Sequence, residues 1–426
     1  METLFIGSTG PYVMLIQSLL NRIGYHAGPV DGIFGLTTQQ AILAFQRNNN
    51  LVPDGVIGPV TWNPFEHFIE GYDTYTINPG DTFYKIAQKY DTTVDAILTA
   101  NPGINPNQLM IEQKIIVPYG IDVVPINVNY AYWLMEKNIE GLKARYPFLE
   151  VGVAGTSVLG KSLYYVRLGT GPNQVFYNGA HHALEWITSP MLMKFIENFA
   201  KAYAKGGNMH GYYIPDIWKK SSIYIIPMVN PDGVDLVVEG LKPTNPYYSQ
   251  LLQWNNIGLP FSQVWQANIK GVDLNLNYPA GWEIAKASEQ QNGMLSPSPS
   301  GYGGPSPLSE PESSVVANFT KQHLFTLVIA FHTQGRVIYW QYENMAPPIA
   351  YLITQQFSTI NGYSMEAPAP SAAHAGYKDW FIQEYKKPGY TLEVGLGKNP
   401  LPISQLGPIY VENEGVLLLA AVTFAS

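Results

Sequence analysis

Two histidines and two glutamates in the second half of the chain are of the types that carry out metal-assisted hydrolysis. His182 and Glu185 follow one strand-like run, His332 ends another, and Glu393 lies inside a third. Two histidines and one carboxylate form a catalytic zinc set that leaves a fourth position for water, and a further carboxylate can act as the base. Taken singly, each residue also fits a structural role, since a histidine at a strand end is usually just hydrogen-bonded. A carboxylate buried unpaired in an apolar strand costs several kcal/mol, so Glu393 needs a partner or a function.

The elements that must position these residues alternate apolar runs with amphipathic helices, which is typical of an α/β sheet. The apolar runs predict strands at residues 174–177, 223–229, 325–331 and 390–394. Apolar side chains at helical spacing from Leu192 to Tyr203 predict a helix between the first two strands. Open α/β sheets bind ligands beyond the carboxyl ends of their strands, so we expect the three segments to converge on one crevice. The long loop 295–311 could line it.

Composition limits the possible partners and metal ligands. The 426 residues leave room for two or three domains, and an apolar content of 46% is enough to bury their cores. The net charge of -8 disfavours nucleic acid and anionic membranes as partners. There is no cysteine, so any metal must use His, Asp or Glu. The N-terminal residues lack the pattern of a secretory signal, and no 18-residue apolar run suggests a membrane span.

The first seventy residues contain an internal repeat. Asp31-Gly32-Ile33-Phe34-Gly35 returns 23 positions later as Asp54-Gly55-Val56-Ile57-Gly58, with a predicted helix between the two turns. The glycines would supply the positive φ that each tight turn requires. The doubled pattern resembles the peptidoglycan-binding domain of bacterial wall hydrolases. The alternative is a bare three-helix spacer whose turns only cap helices.

Residues 72–120 predict a strand, two helices and a strand. This order, with Gly80-Asp81-Thr82, Asn101-Pro102 and the closing Ile-Val-Pro, resembles a LysM domain. The resemblance implies binding of N-acetylglucosamine in glycan strands, between the loops 80–83 and 101–108, with Gly80, Asp81, Thr82, Asn101 and Pro102 as glycan-binding residues. Individual residues of these loops could equally serve only as helix caps.

Residues 127 to 426 resemble the zinc carboxypeptidase family M14. The matching pieces occur in the family's order: Gly155-Thr156-Ser157, His182-Ala183-Leu184-Glu185, Asn230-Pro231-Asp232-Gly233, Gly271-Val272-Asp273-Leu274-Asn275, Ser309-Glu310-Pro311-Glu312, His332-Thr333 and Thr391-Leu392-Glu393. The resemblance implies that His182, Glu185 and His332 ligate Zn²⁺. It also implies that Glu393 is catalytic, taking a proton from the attacking water and delivering it to the leaving amine.

The expected architecture is multidomain. A small all-α peptidoglycan-binding module covers residues 1–70, and a small α+β (βααβ) LysM module covers 71–120. An α/β catalytic domain covers 121–426, with a mixed twisted sheet flanked by helices.

Departures from the family pattern bear on the substrate. Carboxypeptidases grip a terminal carboxylate with Asn-Arg-Asn, whereas this chain has Asn275-Leu276-Asn277, so the arginine clamp is absent. Candidate groups for stabilising the oxyanion are Gln266, His374 and Lys270, and surface solvation is the alternative for the latter two. Lys378 falls near the position that sets specificity after the scissile bond, where a cation favours a carboxylate-bearing residue. The predicted substrate-binding residues are Asn275, Lys378, Arg336, His374 and Gln266.

Together these features resemble the γ-D-glutamyl-L-diamino acid endopeptidases of spore-forming bacteria. The resemblance implies hydrolysis of the γ-D-glutamyl to meso-diaminopimelate bond, with peptidoglycan glycan strands and stem peptides as the partners. The expected location is the cytoplasm of a sporulating bacterium, or its spore or cell wall. The alternatives are a wall-anchored peptidase of other acidic peptides and a catalytically inactive wall-binding protein. A serine hydrolase is disfavoured because no Gly-x-Ser-x-Gly elbow occurs.

Overall fold

The structure is a computed structural model that describes residues 2–255, 257–369 and 373–425. It divides into two compact units, the first comprising residues up to Asn129 with Trp133–Glu150, and the second comprising Tyr130–Tyr132 with Val151 onwards. The elements up to residue 145 are α1 (Pro11–Arg22), α2 (Leu36–Asn48), α3 (Pro59–Glu70), β1 (Tyr72–Thr76), α4 (Phe83–Lys89), α5 (Val94–Ala100), β2 (Lys114–Pro118) and α6 (Tyr132–Arg145).

The repeat in the helical module is a pair of equivalent turns, each held by a buried glutamine. Gly32 and Gly55 both have a φ of 74°, as predicted, whereas Gly35 and Gly58 have a φ of -93°, which other residues can adopt. Gln17 donates to Asp31 Oδ1 at 2.9 Å and accepts from Gly32 N at 2.9 Å. Gln46 makes the same two bonds, donating at 2.8 Å to the aspartate that precedes Gly55 and accepting from Gly55 N at 2.9 Å. The sequence repeat therefore encodes a repeated hydrogen-bond network.

The LysM module has the predicted order of strand, helix, helix and strand. β1 pairs antiparallel with β2 over five residues. Thr82 and Thr93 cap the two helices, each accepting a backbone N–H in the first turn. The helices close over a small core formed by Ile77, Phe83, Ile86, Ala87, Ile97, Ile115 and Val117.

The second unit contains an eight-stranded mixed sheet in the order β11-β10-β12-β9-β5-β8-β4-β3. Its strands, with the separate two-stranded pair β6 and β7, are β3 (Glu150–Thr156), β4 (Ser162–Leu168), β5 (Asn173–Gly179), β6 (Asn208–Met209), β7 (Tyr212–Tyr213), β8 (Ser221–Ile226), β9 (Leu327–His332), β10 (Val337–Tyr339), β11 (Ser364–Glu366) and β12 (Gly389–Glu393). Its helices are α7 (Thr188–Ala204), α8 (Ile214–Lys220), α9 (Pro231–Glu239), α10 (Tyr248–Trp254), α11 (Phe261–Val264), α12 (Trp282–Gln291), α13 (Pro311–Lys321), α14 (Pro348–Asn361), α15 (Tyr377–Tyr385) and α16 (Leu406–Val422).

Helices cover the central strands, which explains why those strands are apolar along their whole length. Every residue of β8 and β9 is buried. Phe176 packs with Val316 and Phe319 of α13 and with Trp380 of α15. Tyr177, the next residue along β5 and therefore on the other face, donates its hydroxyl to the Leu417 carbonyl of α16 at 2.7 Å. The predicted mixed sheet flanked by helices is thus confirmed.

Within the described part of the chain, no helix has both the length and the apolar character needed to cross a membrane.

Candidate active site

Three predicted site residues lie at the carboxyl ends of adjacent parallel strands. His332 is the last residue of β9 and Glu393 the last residue of β12, and their Cα atoms are partners in the parallel pair. His182 follows β5, which ends at Gly179 and is the other neighbour of β9. The predicted convergence of the three segments is confirmed, because β5, β9 and β12 end on the same edge of the sheet.

His182, Glu185 and His332 bring three ligand atoms to one point. His182 Nδ1 lies 2.9 Å from Glu185 Oε1, His332 Nδ1 lies 2.9 Å from Glu185 Oε2, and the two Nδ1 atoms are 3.3 Å apart. Nitrogens that each lie roughly 2.0–2.1 Å from a tetrahedral zinc are separated by about 3.3 Å. Two imidazoles and one carboxylate form the donor set that zinc prefers in hydrolases, so these residues fit the ion.

A short turn after β5 sets the spacing of two of these ligands. Residues Ala183–Glu185 form a single 3-10 turn, in which Glu185 N donates to the His182 carbonyl at 3.1 Å. Thr188 Oγ1 donates to the Glu185 carbonyl at 2.9 Å and ties the turn to the start of α7. Residues three apart face the same side of such a turn, which is why His-x-x-Glu presents both ligands together.

Asp273 orients His182 and was assigned no role from the sequence. Its Oδ1 lies 3.0 Å from His182 Nε2, on the side of the ring opposite the ligand atom. The carboxylate also accepts from Asn275 N at 3.1 Å and from Gly301 N at 3.2 Å, so its position is fixed. A carboxylate that accepts the second N–H of a ligating histidine fixes the tautomer and strengthens the ligand. Its only sequence signal was its place in a block shared with the family.

The histidines and the carboxylates of the site shift one another's pKa values in opposite directions. Burial opposes the charge of His182, but the facing carboxylates of Glu185 and Asp273 raise its pKa well above its usual value. Burial likewise opposes ionisation of Glu185, yet His182 and His332 lower the pKa of this carboxyl to about 2. Glu185 is therefore a carboxylate at neutral pH, the form that binds a metal.

Glu393 stands next to this cluster and is partly buried. Burial, reinforced by the charge of Glu185, raises the pKa of Glu393 well above its usual value, while His182 acts in the opposite direction. Among the described residues no hydrogen bond to its side chain occurs. A partly buried carboxylate with a raised pKa beside a metal set has the position and the basicity of a general base.

His181, the other member of the histidine pair, is not among the ligand residues, although its ring stacks on that of His332 with 5.6 Å between centroids. Its Nε2 lies 3.0 Å from the Tyr278 hydroxyl, and its ring is fully buried against Tyr377. Burial lowers the pKa of His181 well below its usual value, and the charges of His332 and His182 add to the effect. His181 is therefore a neutral packing residue.

Asn275 lies close to the cluster, and Gln266 is connected to its ligand turn through the backbone. Asn275 Oδ1 accepts from Tyr377 N at 3.1 Å, and its own N–H bonds Asp273. The Gln266 carbonyl accepts from Ala183 N at 2.9 Å, at the turn that carries the ligands, and its side chain is partly exposed. The Lys270 ammonium lies 3.8 Å from Glu310.

His374 and Lys378 contact two consecutive residues, Tyr342 and Gln341 respectively. His374 Nδ1 lies 3.3 Å from the Tyr342 hydroxyl, and Lys378 Nζ donates to the Gln341 carbonyl at 2.8 Å. The Lys378 ammonium is buried and is paired with Asp379. The structure thus supplies an internal counter-ion for the lysine predicted to receive a substrate carboxylate.

Arg336 precedes Val337, the residue of β10 that pairs with Glu393. Its guanidinium is paired with Glu412 of α16, and the side chain is 44% exposed. In the free protein, Glu412 therefore neutralises the guanidinium that was predicted to bind substrate.

The predicted glycan-binding residues have different exposures. Asp81 accepts from the Tyr75 hydroxyl at 2.9 Å, Thr82 caps α4, and Gly80 and Pro102 are exposed. The Asn101 side chain is buried and bonds the backbone of Ile116 at 2.8 and 2.7 Å, so it holds β2 in place.

Fold and site together define a metallopeptidase with a two-histidine, one-glutamate centre. Three family models match the chain: a putative peptidoglycan binding domain at residues 9–63, a LysM domain at 75–118 and a zinc carboxypeptidase at 135–414. The third match covers more than half of the chain, which therefore belongs to the zinc carboxypeptidase family, M14, and zinc is its cofactor.

Individual relatives agree with this assignment. The chain is 41% identical over 395 residues to gamma-D-glutamyl-L-diamino acid endopeptidase 1 of Lysinibacillus sphaericus, covering 80% of this chain and 98% of the relative. It is 34% identical over 285 residues to the uncharacterized protein YqgT of Bacillus subtilis, covering 66% of this chain and 74% of that protein. The crystal structure of carboxypeptidase A from Helicoverpa armigera has a similar fold, with 18% identity, a TM-score of 0.52 and coverage of 92% and 96%.

Proposed function

We propose that this protein hydrolyses the amide bond between γ-D-glutamate and meso-diaminopimelate in peptidoglycan stem peptides. The observation that carries the proposal is the joined site of His182, Glu185, His332 and Glu393 in a chain that is 41% identical to a relative named for cleavage at a γ-D-glutamyl-L-diamino acid bond. The peptidoglycan-binding and LysM domains support the same polymer as substrate.

In the proposed mechanism the three ligand residues hold zinc and Glu393 handles the proton. Zinc held by His182, Glu185 and His332 supplies Lewis-acid activation for attack of water on an amide. Glu393 accepts a proton from the attacking water as the new C–O bond forms. It then delivers this proton to the departing nitrogen as the C–N bond breaks, so the diamino acid leaves as an amine. Asp273 keeps the His182 ring in its ligating orientation throughout.

Substrate selection follows from the groups around Asn275 and Lys378. The chain lacks the arginine of Asn-Arg-Asn, which agrees with a substrate other than an ordinary peptide carboxyl terminus. Lys378 is the proposed partner of a stem-peptide carboxylate. In the free protein the Lys378 ammonium is paired with Asp379, and the substrate carboxylate would replace Asp379 in that pair. His374, Asn275 and Gln266 are the proposed hydrogen-bonding groups near the scissile amide. Arg336, whose half-exposed guanidinium is paired with Glu412 in the free protein, is the second proposed cation for a stem-peptide carboxylate.

The proposed setting is a spore-forming bacterium, with action on spore or wall peptidoglycan either from the cytoplasm of the sporulating cell or at the wall itself. Its support is the presence of two domains of wall-binding families in the same chain as the peptidase.

The test compares soluble peptides that contain no sugar. The zinc-loaded protein is incubated with L-Ala-γ-D-Glu-meso-diaminopimelate, with its α-linked isomer and with the lysine analogue. We expect release of diaminopimelate from the γ-linked peptide, much slower turnover of the α-linked isomer, and weaker turnover of the lysine analogue, which lacks the side-chain carboxylate. Equal rates for the γ- and α-linked peptides would contradict the proposed substrate.

A further inference from the structure

A cavity of about 560 Å³ lies between the helical module and the LysM module, inside the first compact unit. The ends of α1 and α2 and Phe68 of α3 line one side, and residues 89–91 and 119–121 line the other. Protein pockets that hold small ligands have volumes of roughly 300–1,000 Å³. The cavity needs both modules, and its lining residues do not include the predicted glycan loops 80–83 and 101–108.

A row of contacting aromatic rings crosses this cavity from one module to the other. The ring centroids of Tyr25 and Phe45 are 5.6 Å apart, and those of Phe45 and Phe68 are 6.3 Å apart. Phe68 stacks on Tyr119 at 4.6 Å, and Tyr119 lies 5.8 Å from Tyr90. Four of these rings, all except Phe45, remain partly exposed. Pyranose rings pack their C–H faces on such aromatic surfaces, which also bury large area at little entropic cost.

Polar groups on the rim can form hydrogen bonds with the hydroxyl and acetamido groups of a sugar. The Asn48 amide donates to the Tyr25 hydroxyl at 3.0 Å at the exposed edge. Asn49, Lys89 and Asp91 also line the cavity. Amides, an ammonium and a carboxylate supply both donors and acceptors, as hydroxyl and acetamido groups require. Lys89 and Asp91 carry opposite charges and lie on the same short segment. The LysM side of the rim therefore has no strong preference for an acidic ligand.

The aromatic row continues to the predicted glycan loop of the LysM module. Tyr75 lies edge-to-face with Tyr90 at 5.9 Å and donates its hydroxyl to Asp81 at 2.9 Å. Asp81 belongs to the predicted glycan loop, so a single tyrosine contacts both that loop and the wall of the cavity. A glycan strand held at the loop therefore has a second sugar-sized site nearby.

We infer that this cavity is a second saccharide site, which takes an N-acetylated hexosamine of the same glycan strand that the LysM module holds. The inference rests on the proposed function, because it assumes that peptidoglycan is the polymer bound. Two sites on one strand convert the second contact into an intramolecular one and raise the overall affinity.

The experiment measures binding of the N-acetylglucosamine hexasaccharide to the full chain by calorimetry. Asn48→Trp fills the cavity from an exposed position, and Tyr119→Ala removes a ring from the row. Gln40→Trp is the matched control, because Gln40 is an exposed amide on the same helix that does not line the cavity. We expect each cavity variant to bind about fivefold more weakly, the scale of one aromatic contact. Gln40→Trp should bind like the wild type.

Wild-type affinity in Asn48→Trp and Tyr119→Ala, or equal weakening in Gln40→Trp, would overturn the inference. If Tyr119→Ala lowers the unfolding temperature, Asn48→Trp alone decides, since its side chain is exposed. A muropeptide with an acidic stem separates sugar from stem peptide. Cavity variants that weaken binding of this muropeptide but leave hexasaccharide binding unchanged would make the cavity a peptide site, contrary to the inference.

Hydrolysis of the sugar-free tripeptide distinguishes the two proposals. The cavity variants should cleave L-Ala-γ-D-Glu-meso-diaminopimelate at the wild-type rate. If neither the wild type nor the variants cleave this peptide, the proposed function fails. Unchanged hexasaccharide binding with normal cleavage is a failure of the cavity inference alone.

Discussion

His332 and Glu393 occupy partner positions at the ends of two adjacent parallel strands, β9 and β12. The sheet therefore sets a metal ligand beside the proposed base through backbone pairing, before any side-chain contact is made. Val337 of β10 pairs with Glu393 on its other side. Glu393 thus lies within a three-strand frame, which a rigid catalytic group requires.

Glu393→Gln should abolish hydrolysis while zinc binding persists. Glutamine has nearly the same shape but cannot accept the proton of the attacking water. We expect kcat to fall by at least about 10²-fold, the usual contribution of a general base. Steady-state kinetics on the tripeptide measure the loss, and elemental analysis measures the zinc. Wild-type turnover in this variant would remove Glu393 from the mechanism.

Asp273→Asn should weaken zinc binding rather than abolish the site. The substitution removes the negative charge that the His182 Nε2–H faces at 3.0 Å. Loss of such a partner raises the metal dissociation constant by roughly 10–100-fold. Competition with a chromogenic chelator gives the constant, and Asp216→Asn, at an exposed position, is the control. Equal zinc affinity in both variants would show that Asp273 does not support the ligand.

Gln46→Ala should destabilise the helical module. The side chain is 1% exposed, and its loss leaves Gly55 N without the acceptor at 2.9 Å. An orphaned buried donor costs about 1–3 kcal/mol. Scanning calorimetry of the full chain should show a lower unfolding temperature for the first unit. Gln40→Ala, at an exposed position on the same helix, should not change it, and a similar shift in both would refute this role of the glutamine.

Glu312→Gln should make stability less dependent on pH. Burial raises the pKa of Glu312 to about 7, although the Val158 N–H bond acts in the opposite direction. A carboxyl with a raised folded pKa stabilises the fold fully below its unfolded value near 4.5 and loses this contribution as the pH rises through about 7. Between about pH 5 and about pH 8.5 the wild type should therefore lose more thermal stability than Glu312→Gln. The exposed control, Glu283→Gln, should behave like the wild type, and equal pH dependence in all three proteins would contradict the assignment.

The sequence predicted the ligands because local patterns place them. His182 and Glu185 sit three apart in a turn just after a strand, and His332 ends a strand, so the ends of parallel strands determine where they meet. The order of elements in the LysM module and the paired glycine turns are equally local. These features depend on spacing along the chain.

The parts that were not predicted depend on contacts between distant segments. Asp273 reaches His182 across 91 positions, and Arg336 reaches Glu412 across 76. No periodicity marks such pairs in one sequence. Lys378 and Asp379 are adjacent in sequence, yet their pairing requires both to be buried at the start of α15, which only packing determines.

Zinc titration of the metal-free protein tests the central claim most directly. The protein is stripped with a chelator, and hydrolysis of L-Ala-γ-D-Glu-meso-diaminopimelate is followed as zinc is added back in substoichiometric steps. A single catalytic centre built by His182, Glu185 and His332 predicts no activity without metal, a linear rise and saturation at one equivalent per chain. Full activity in the stripped protein, or a saturation point unchanged in His332→Ala, would contradict it.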